Sequence, residues 1–323
     1  MVEHISIEED AVTLLLSVLI TVTVVLSAWF LTIHHLAVYI SKKFVFAQTK
    51  SMAYTLEKSI ENGGFTQEEF DGLELSGFVI DSDYGYELSG VYQRGSDPTK
   101  AVIFVHGHTW SWHGQVKYFY LYQRRGYSII TYNHRGHGDS GGENCSAGYF
   151  EKYDLDTVVR WTRTRFPEVK TLGLMGESLG GATVLQYVPL AKDISFIHAD
   201  CPYSSMRKLY DYQLSLRHIP RFMRIRIIDA SRTYILRKAG FDSFEVEPEQ
   251  AIMKADVPIL LIHGEADTYV PPWMTQQMYE SRKQYAPTYC TLIPDAVHAQ
   301  SLLTDRNRYE ESVDEFLNNA EHA

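Results

Sequence analysis

Short, mostly apolar runs separated by helix-length segments constrain this chain more than any other feature. Residues 77–83 and 86–93 read as strands around a turn at Tyr84-Gly85. Further runs of five or six residues follow at 101–105, 127–132, 171–175, 194–199, 257–262 and 288–293. Helical patterning falls between them, at 154–165, 178–190, 271–284 and 306–318. A strand with one wet face alternates polar and apolar, whereas a strand covered on both faces is apolar throughout. The pattern therefore predicts an α/β domain with a mostly parallel central sheet and helices on both faces. At 323 residues, 45% hydrophobic and 22% charged, the chain is long enough for one large domain of this kind and is neither collagen-like nor disordered.

One stretch breaks the rhythm. About 55 residues separate the run ending near Asp200 from the one starting at Val257. Residues 203–240 hold nine Lys or Arg against only Asp211 and Asp229, a net +7, with Leu, Ile, Phe and Tyr interspersed. This reads as an inserted helical lid, at about 203–250, with a basic face. The chain as a whole carries −10, which argues against nucleic acid as a partner, so the basic patch points elsewhere.

Residues 11–33 contain no charge at all. As a helix they would extend about 35 Å, enough to cross a hydrocarbon core of about 30 Å with some tilt. Trp29 lies near the end, at interfacial depth. The preceding residues Glu3, Glu8, Glu9 and Asp10 are acidic, unlike the basic start of a cleaved leader, and Lys42, Lys43 and Lys50 follow the run. The expectation is a single-pass anchor in the cell membrane, with the N-terminus outside and the catalytic domain cytoplasmic. Residues 1–43 form the anchor and its flanks, 44–74 a helix-leaning connector broken at Asn62-Gly63-Gly64, and 75–323 the main domain. Three cysteines, Cys145, Cys201 and Cys290, make a disulfide framework unlikely.

The chemistry begins at Gly176-Glu177-Ser178-Leu179-Gly180, a G-x-S-x-G pentapeptide between an apolar strand and a helix. That context turns the chain sharply and presents the serine hydroxyl above the sheet. Its partners follow in the order acid, then histidine: Asp267 after the 257–262 strand and His298 after the 288–293 strand. Both fall at strand C-terminal ends, where Ser178 emerges. His298 would take the Ser178 proton, and Asp267 would hold its tautomer. Asp200 also ends a strand and is the rival acid, though beside Pro202 it reads better as a structural hydrogen-bonding residue. His263 reads as a packed residue at a strand end. The oxyanion donors expected are the backbone amides of Leu179 and of His108, in the loop after the 101–105 strand. His106, His108 and His113 form no metal site, because the loop is explained without one and no carboxylate or cysteine completes it. Arg135 and the histidines of Asn133-His134-Arg135-Gly136-His137 are expected to brace the loops.

Taken together, the His106-Gly107 loop, the Arg135-Gly136-His137-Gly138 turn, Gly176–Gly181, the His263-Gly264-Glu265-Ala266-Asp267 loop and the late His298 resemble the α/β-hydrolase superfamily over roughly residues 75–318. Gly148–Asp154, Asp200–Ser205 and Tyr269–Met274 resemble a bacterial group of N-terminally anchored members labelled serine-peptidase-like. The resemblance implies the α/β-hydrolase fold and a Ser178/Asp267/His298 triad. The propeller domain of large oligopeptidases has no counterpart here.

The expected activity is a serine carboxylesterase that cleaves a small-molecule or lipid-derived acyl ester through an acyl-enzyme, with no cofactor. An aminopeptidase or acyl-peptide hydrolase on the same triad is the alternative, and a non-catalytic binding protein a third. Trp110, Trp112 and Tyr203 are candidates to line the acyl pocket or to pack. Membrane lipid is expected to meet the apolar span and, as a further partner, the basic lid.

Overall fold

The computed structural model describes residues 2–321, with side chains from Ala11 onward. Eight strands form one sheet: β1 (Ser76–Asp81), β2 (Glu87–Gln93), β3 (Lys100–Val105), β4 (Ser128–Tyr132), β5 (Thr171–Glu177), β6 (Phe196–Asp200), β7 (Ile259–Gly264) and β8 (Thr288–Ile293). Their spatial order is β1-β2-β4-β3-β5-β6-β7-β8. β1 and β2 run antiparallel, and every pairing from β4–β3 to β7–β8 is parallel.

Side-chain alternation divides the core between the two faces of the sheet. On β3, Ala101, Ile103 and Val105 enter one cluster with Leu155, Val158 and Val184. Val102 and Phe104 enter the other with Tyr118, Phe119 and Phe316. The second cluster depends on a helix the sequence reading did not foresee, Val116–Gln123. It buries Tyr118, Phe119, Leu121 and Tyr122 and has too little polar surface to show an amphipathic pattern.

The N-terminal helix runs from Val2 to Phe44, about three turns beyond the uncharged run. From Ala11 to Ala28 every side chain is exposed, and the helix is long and apolar enough to cross a membrane. Its last part behaves differently. Ile33, Ala37, Ile40 and Phe44 repeat at helical spacing and are buried against the domain. Ile33, Ile40 and Phe44 contribute about 1.5–3 kcal/mol apiece as an upper estimate.

Their partner is the inserted segment, which folds as helices Met206–Ser215 and Arg221–Ala239. The longer one lies alongside the N-terminal helix. Phe222 stacks on Trp29 at 5.9 Å, Ser231 Oγ donates to the Ala37 carbonyl at 3.2 Å, and Tyr234 meets Phe46 at 5.8 Å. These contacts rise together in sequence, so the two helices run in the same direction.

Candidate active site

β5 ends directly at the turn that carries Ser178. Ser178 has φ +56° and ψ −112°, a strained conformation for a residue with a side chain. The turn is held by close packing. A Cβ on Gly176 would lie 2.2 Å from the Gly180 carbonyl oxygen, and one on Gly180 would lie 1.9 Å from that of Val105. Glycine at both positions lets the helix Leu179–Gln186 start against β3.

Ser178 Oγ lies 2.9 Å from His298 Nε2, and His298 Nδ1 lies 2.6 Å from Asp267 Oδ2. The Ser178 hydroxyl can thus donate to Nε2 while Nδ1–H donates to the carboxylate. Asp267 is fully tied down. Its Oδ1 accepts the amides of Tyr269 at 2.8 Å and Val270 at 2.9 Å, and His263 Nε2 lies 3.1 Å from Oδ2. Burial pushes this carboxyl up, but the hydrogen bonds from His263 and His298 outweigh burial and hold it well below the usual range. His263 is a packed residue that also supports the acid. Its Nδ1 meets the Thr275 hydroxyl at 2.6 Å, and its Nε2 meets the Val270 carbonyl at 2.9 Å.

Asp200 does not reach His298. It accepts hydrogen bonds from Tyr118 at 2.9 Å, Tyr309 at 3.0 Å and Ser301 at 3.2 Å beneath the turn. Glu177 is similarly occupied, by Lys117 at 2.5 Å and the Tyr118 hydroxyl at 2.6 Å.

The Leu179 amide opens a helix, where no intrahelical acceptor exists. The His108 amide has no acceptor among the described residues, and a Cβ on neighbouring Gly107 would sit 3.7 Å from Ser178 Cβ. The loop is braced by histidine rings. His106 Nε2 accepts the His134 amide at 2.9 Å, and His137 Nε2 accepts the Thr109 amide at 3.1 Å. Burial lowers all of these rings, His134 to about 3 and His108 to about 4, so they remain neutral acceptors and donors. Arg135 lies over the Tyr86 and Phe150 rings and serves packing.

Two spaces meet at Ser178. A cavity of about 450 Å³ is bounded by Ser59, Asn62, Trp110, Lys117 and Gln300 together with Ser178 and His298. An apolar slot of about 20 Å³ is bounded by Phe44, Cys145, Leu179, Tyr203, Met206 and Leu209. Trp110 and Tyr203 are therefore wall residues, and the Tyr203 hydroxyl is anchored on the Ala147 carbonyl at 2.8 Å. Trp112 lines neither space. Its ring is held against Phe70 at 6.1 Å and His113 at 4.0 Å, so of its two expected roles it packs, and its place among the acyl-pocket candidates is corrected. The wall residues Ser59, Asn62 and Phe44 were not foreseen as site residues, because they lie more than a hundred residues upstream of Ser178.

A serine placed at a strand–helix turn of a parallel sheet, with the histidine and carboxylate on later strand ends, is the architecture of a hydrolase. The serine aminopeptidase (S33) family model matches residues 96–223. YqkD of Bacillus subtilis is 30% identical over 287 residues, covering 88% of this chain and 92% of that protein. The chain belongs to the α/β-hydrolase superfamily. Zebrafish lysophosphatidylserine lipase ABHD12 is 23% identical over 192 residues, 57% of this chain and 47% of that protein. In fold, the chain is similar to the Pyrococcus furiosus esterase Pf2001, with a TM-score of 0.63 at 23% identity over 79% of this chain and 94% of the esterase.

Proposed function

We propose that this hydrolase is a membrane-anchored serine esterase acting on a carboxylic acyl ester. The observation that carries the reading is the Ser178–His298–Asp267 chain of contacts, 2.9 and 2.6 Å long, at the junction of an apolar slot and a larger cavity of mixed polar and apolar walls. Ser178 Oγ attacks the acyl carbon and passes its proton to His298 Nε2. The amides of His108 and Leu179 hold the oxyanion. The tetrahedral intermediate collapses, the C–O bond breaks, and the alcohol leaves with the proton from His298. Water then repeats the sequence on the acyl-enzyme and returns Ser178.

The slot suits the acyl group and the 450 Å³ cavity the alcohol, a small molecule or the polar part of a lipid. A fluorophosphonate probe should label the wild-type chain and not Ser178→Ala; equal labelling overturns the assignment.

The name of the matching family favours a second reading, an aminopeptidase or acyl-peptide hydrolase on the same residues. A carboxylate free to hold a substrate ammonium would support it, but Glu177, the carboxylate at the cavity, is already paired with Lys117. Turnover of aminoacyl anilides without turnover of p-nitrophenyl esters would decide for the peptidase.

The exposed apolar helix is the membrane anchor in this reading, with the basic flank at Lys42, Lys43 and Lys50 placing the domain in the cytoplasm. Digestion of the domain by protease added outside intact cells would reverse that orientation.

A further inference from the structure

The N-terminal helix ends inside the active site. Phe44 is its last residue and is 7% exposed. Its ring packs on Tyr210 at 5.1 Å and on Tyr269 at 6.1 Å, and it bounds the same slot as Ser178 and Leu179. Lys43 fixes the helix end from the other side. Its Nζ donates to Gln213 Oε1 at 2.9 Å and stands 4.9 Å over the Tyr269 ring. Gln213 Nε2 in turn donates to the Tyr269 carbonyl at 2.7 Å. Tyr269 then meets the His298 ring at 5.0 Å. A helix that served only as a tether would need none of these contacts.

The slot that Phe44 closes is small. At about 20 Å³ it exceeds the room needed for one water by little. The larger space, also bounded by Ser178, is the cavity of about 450 Å³. Phe44 belongs to one buried apolar seam with Tyr210, Leu214, Ile40, Ala37 and Ile33. Ile40, Ala37 and Ile33 lie on the same helix face as Phe44, so the seam leads away from Ser178 towards the membrane-facing part of the chain. The Phe44 ring borders the slot and is part of this seam.

We propose that Phe44 is the specificity-determining residue that limits the substrate's acyl group to a short chain, with the bulkier part of the ester on the alcohol side. The inference rests on the esterase reading. Removing the Phe44 ring opens the ring's own volume beside the slot, so a longer acyl chain can extend into it. Loss of packing against Tyr269 also disturbs His298, but that loss lowers turnover of every ester alike. Only the dependence on acyl length separates a slot wall from a merely structural residue.

The test uses the full chain in detergent and a p-nitrophenyl ester series from acetate to dodecanoate. Wild type should prefer acetate and lose activity from butyrate onward. Phe44→Ala should raise the octanoate-to-butyrate ratio of kcat/KM at least tenfold, and Phe44→Trp should narrow the profile towards acetate. Phe44→Leu, which keeps most of the buried volume, supplies an intermediate shift where the alanine variant does not fold. An unchanged ratio in folded variants, with Ser178 still labelled by fluorophosphonate, overturns the inference and leaves the esterase reading standing. Wild type that neither labels nor turns over any ester overturns both.

Discussion

Asp267 Oδ2 faces two histidine nitrogens at once, His298 Nδ1 at 2.6 Å and His263 Nε2 at 3.1 Å, while its Oδ1 accepts two backbone amides. All four partners are donors, so only an acceptor on both oxygens fits. Asp267→Asn must aim an amide N–H at one set of donors. Placed at Oδ2, it forces His298 into the tautomer that cannot accept the Ser178 proton. The expected result is a loss of kcat of about 10³–10⁴, read by ester hydrolysis, with the fold checked by circular dichroism. A loss of less than tenfold would show that Asp267 does not orient His298.

The turn itself is tested at Gly180, where an added Cβ would lie 1.9 Å from the Val105 carbonyl oxygen. That neighbour is backbone in the central strand β3 and cannot swing away. Gly180→Ala should lower stability by about 1–3 kcal/mol or more, the usual cost of overpacking, and displace Ser178 from His298. Thermal unfolding and fluorophosphonate labelling read the two effects separately. An alanine variant with wild-type midpoint and labelling would mean the helix does not start where it is placed here.

What was legible in the sequence was local. The strands β3 to β7 could be read because a strand covered on both faces is apolar along its length, and β1 and β2 because they flank the turn at Tyr84-Gly85. Ser178, Asp267 and His298 could be read because each sits in a short motif at a strand end. What escaped depends on distant partners. Lys43 meets Gln213 across 170 residues of chain and Phe44 meets Tyr269 across 225, and no local pattern marks Phe44 as anything but the end of a hydrophobic helix. Trp112 lies in the loop that carries His108, but the Phe70 ring, far from it in sequence, is what turns it into the core. The charge of the inserted segment was legible only as a count. Arg224 pairs with Asp211, Arg232 with Asp242 and Lys208 with Glu249, so the free positive surface is thinner than the composition of residues 203–240 implies.

Buried histidines set the acid limit of stability. Burial holds His113 at about 4 and His198 at about 3, and burial with His137 beside it holds His134 at about 3. In the unfolded chain these rings protonate near 6.5. Between pH 6.5 and 4 the unfolded state therefore binds more protons, and stability falls as pH falls, by at most about 1.4 kcal/mol per ring per pH unit. Asp154, pushed up to about 6 by burial against the hydrogen bonds of Ser82 and Tyr86, works in the opposite sense and offsets part of one ring. Asp267, held low, contributes stability that is lost only below the unfolded carboxyl range, near pH 4. Urea midpoints should drop continuously from pH 6.5 to 4. A flat profile would mean that these rings are not buried neutral.

The turn between the helices Met206–Ser215 and Arg221–Ala239 comes level with Trp29, near the end of the uncharged run. Phe222 stacks on Trp29 within 7° of parallel, and Phe222, Leu216 and Ile225 are exposed there at 63%, 48% and 42%. Arg221 and Arg226, neither in an ion pair among the described residues, stand beside them. Apolar side chains at headgroup depth with arginines at their margin favour an anionic leaflet by about 1 kcal/mol per charge. This turn, rather than the whole lid, is expected to rest on the membrane. In vesicles containing the full chain and an acyl ester within the same bilayer, Leu216→Asp with Phe222→Asp should lower hydrolysis about tenfold. Hydrolysis of water-soluble p-nitrophenyl butyrate should stay unchanged, since neither residue bounds the slot or the cavity. Replacing anionic lipid with neutral lipid should reproduce part of the loss, and added salt should do the same. Equal rates in neutral and anionic vesicles, or equal losses on the soluble and membrane-borne esters, would overturn the contact and leave the apolar helix as the membrane attachment.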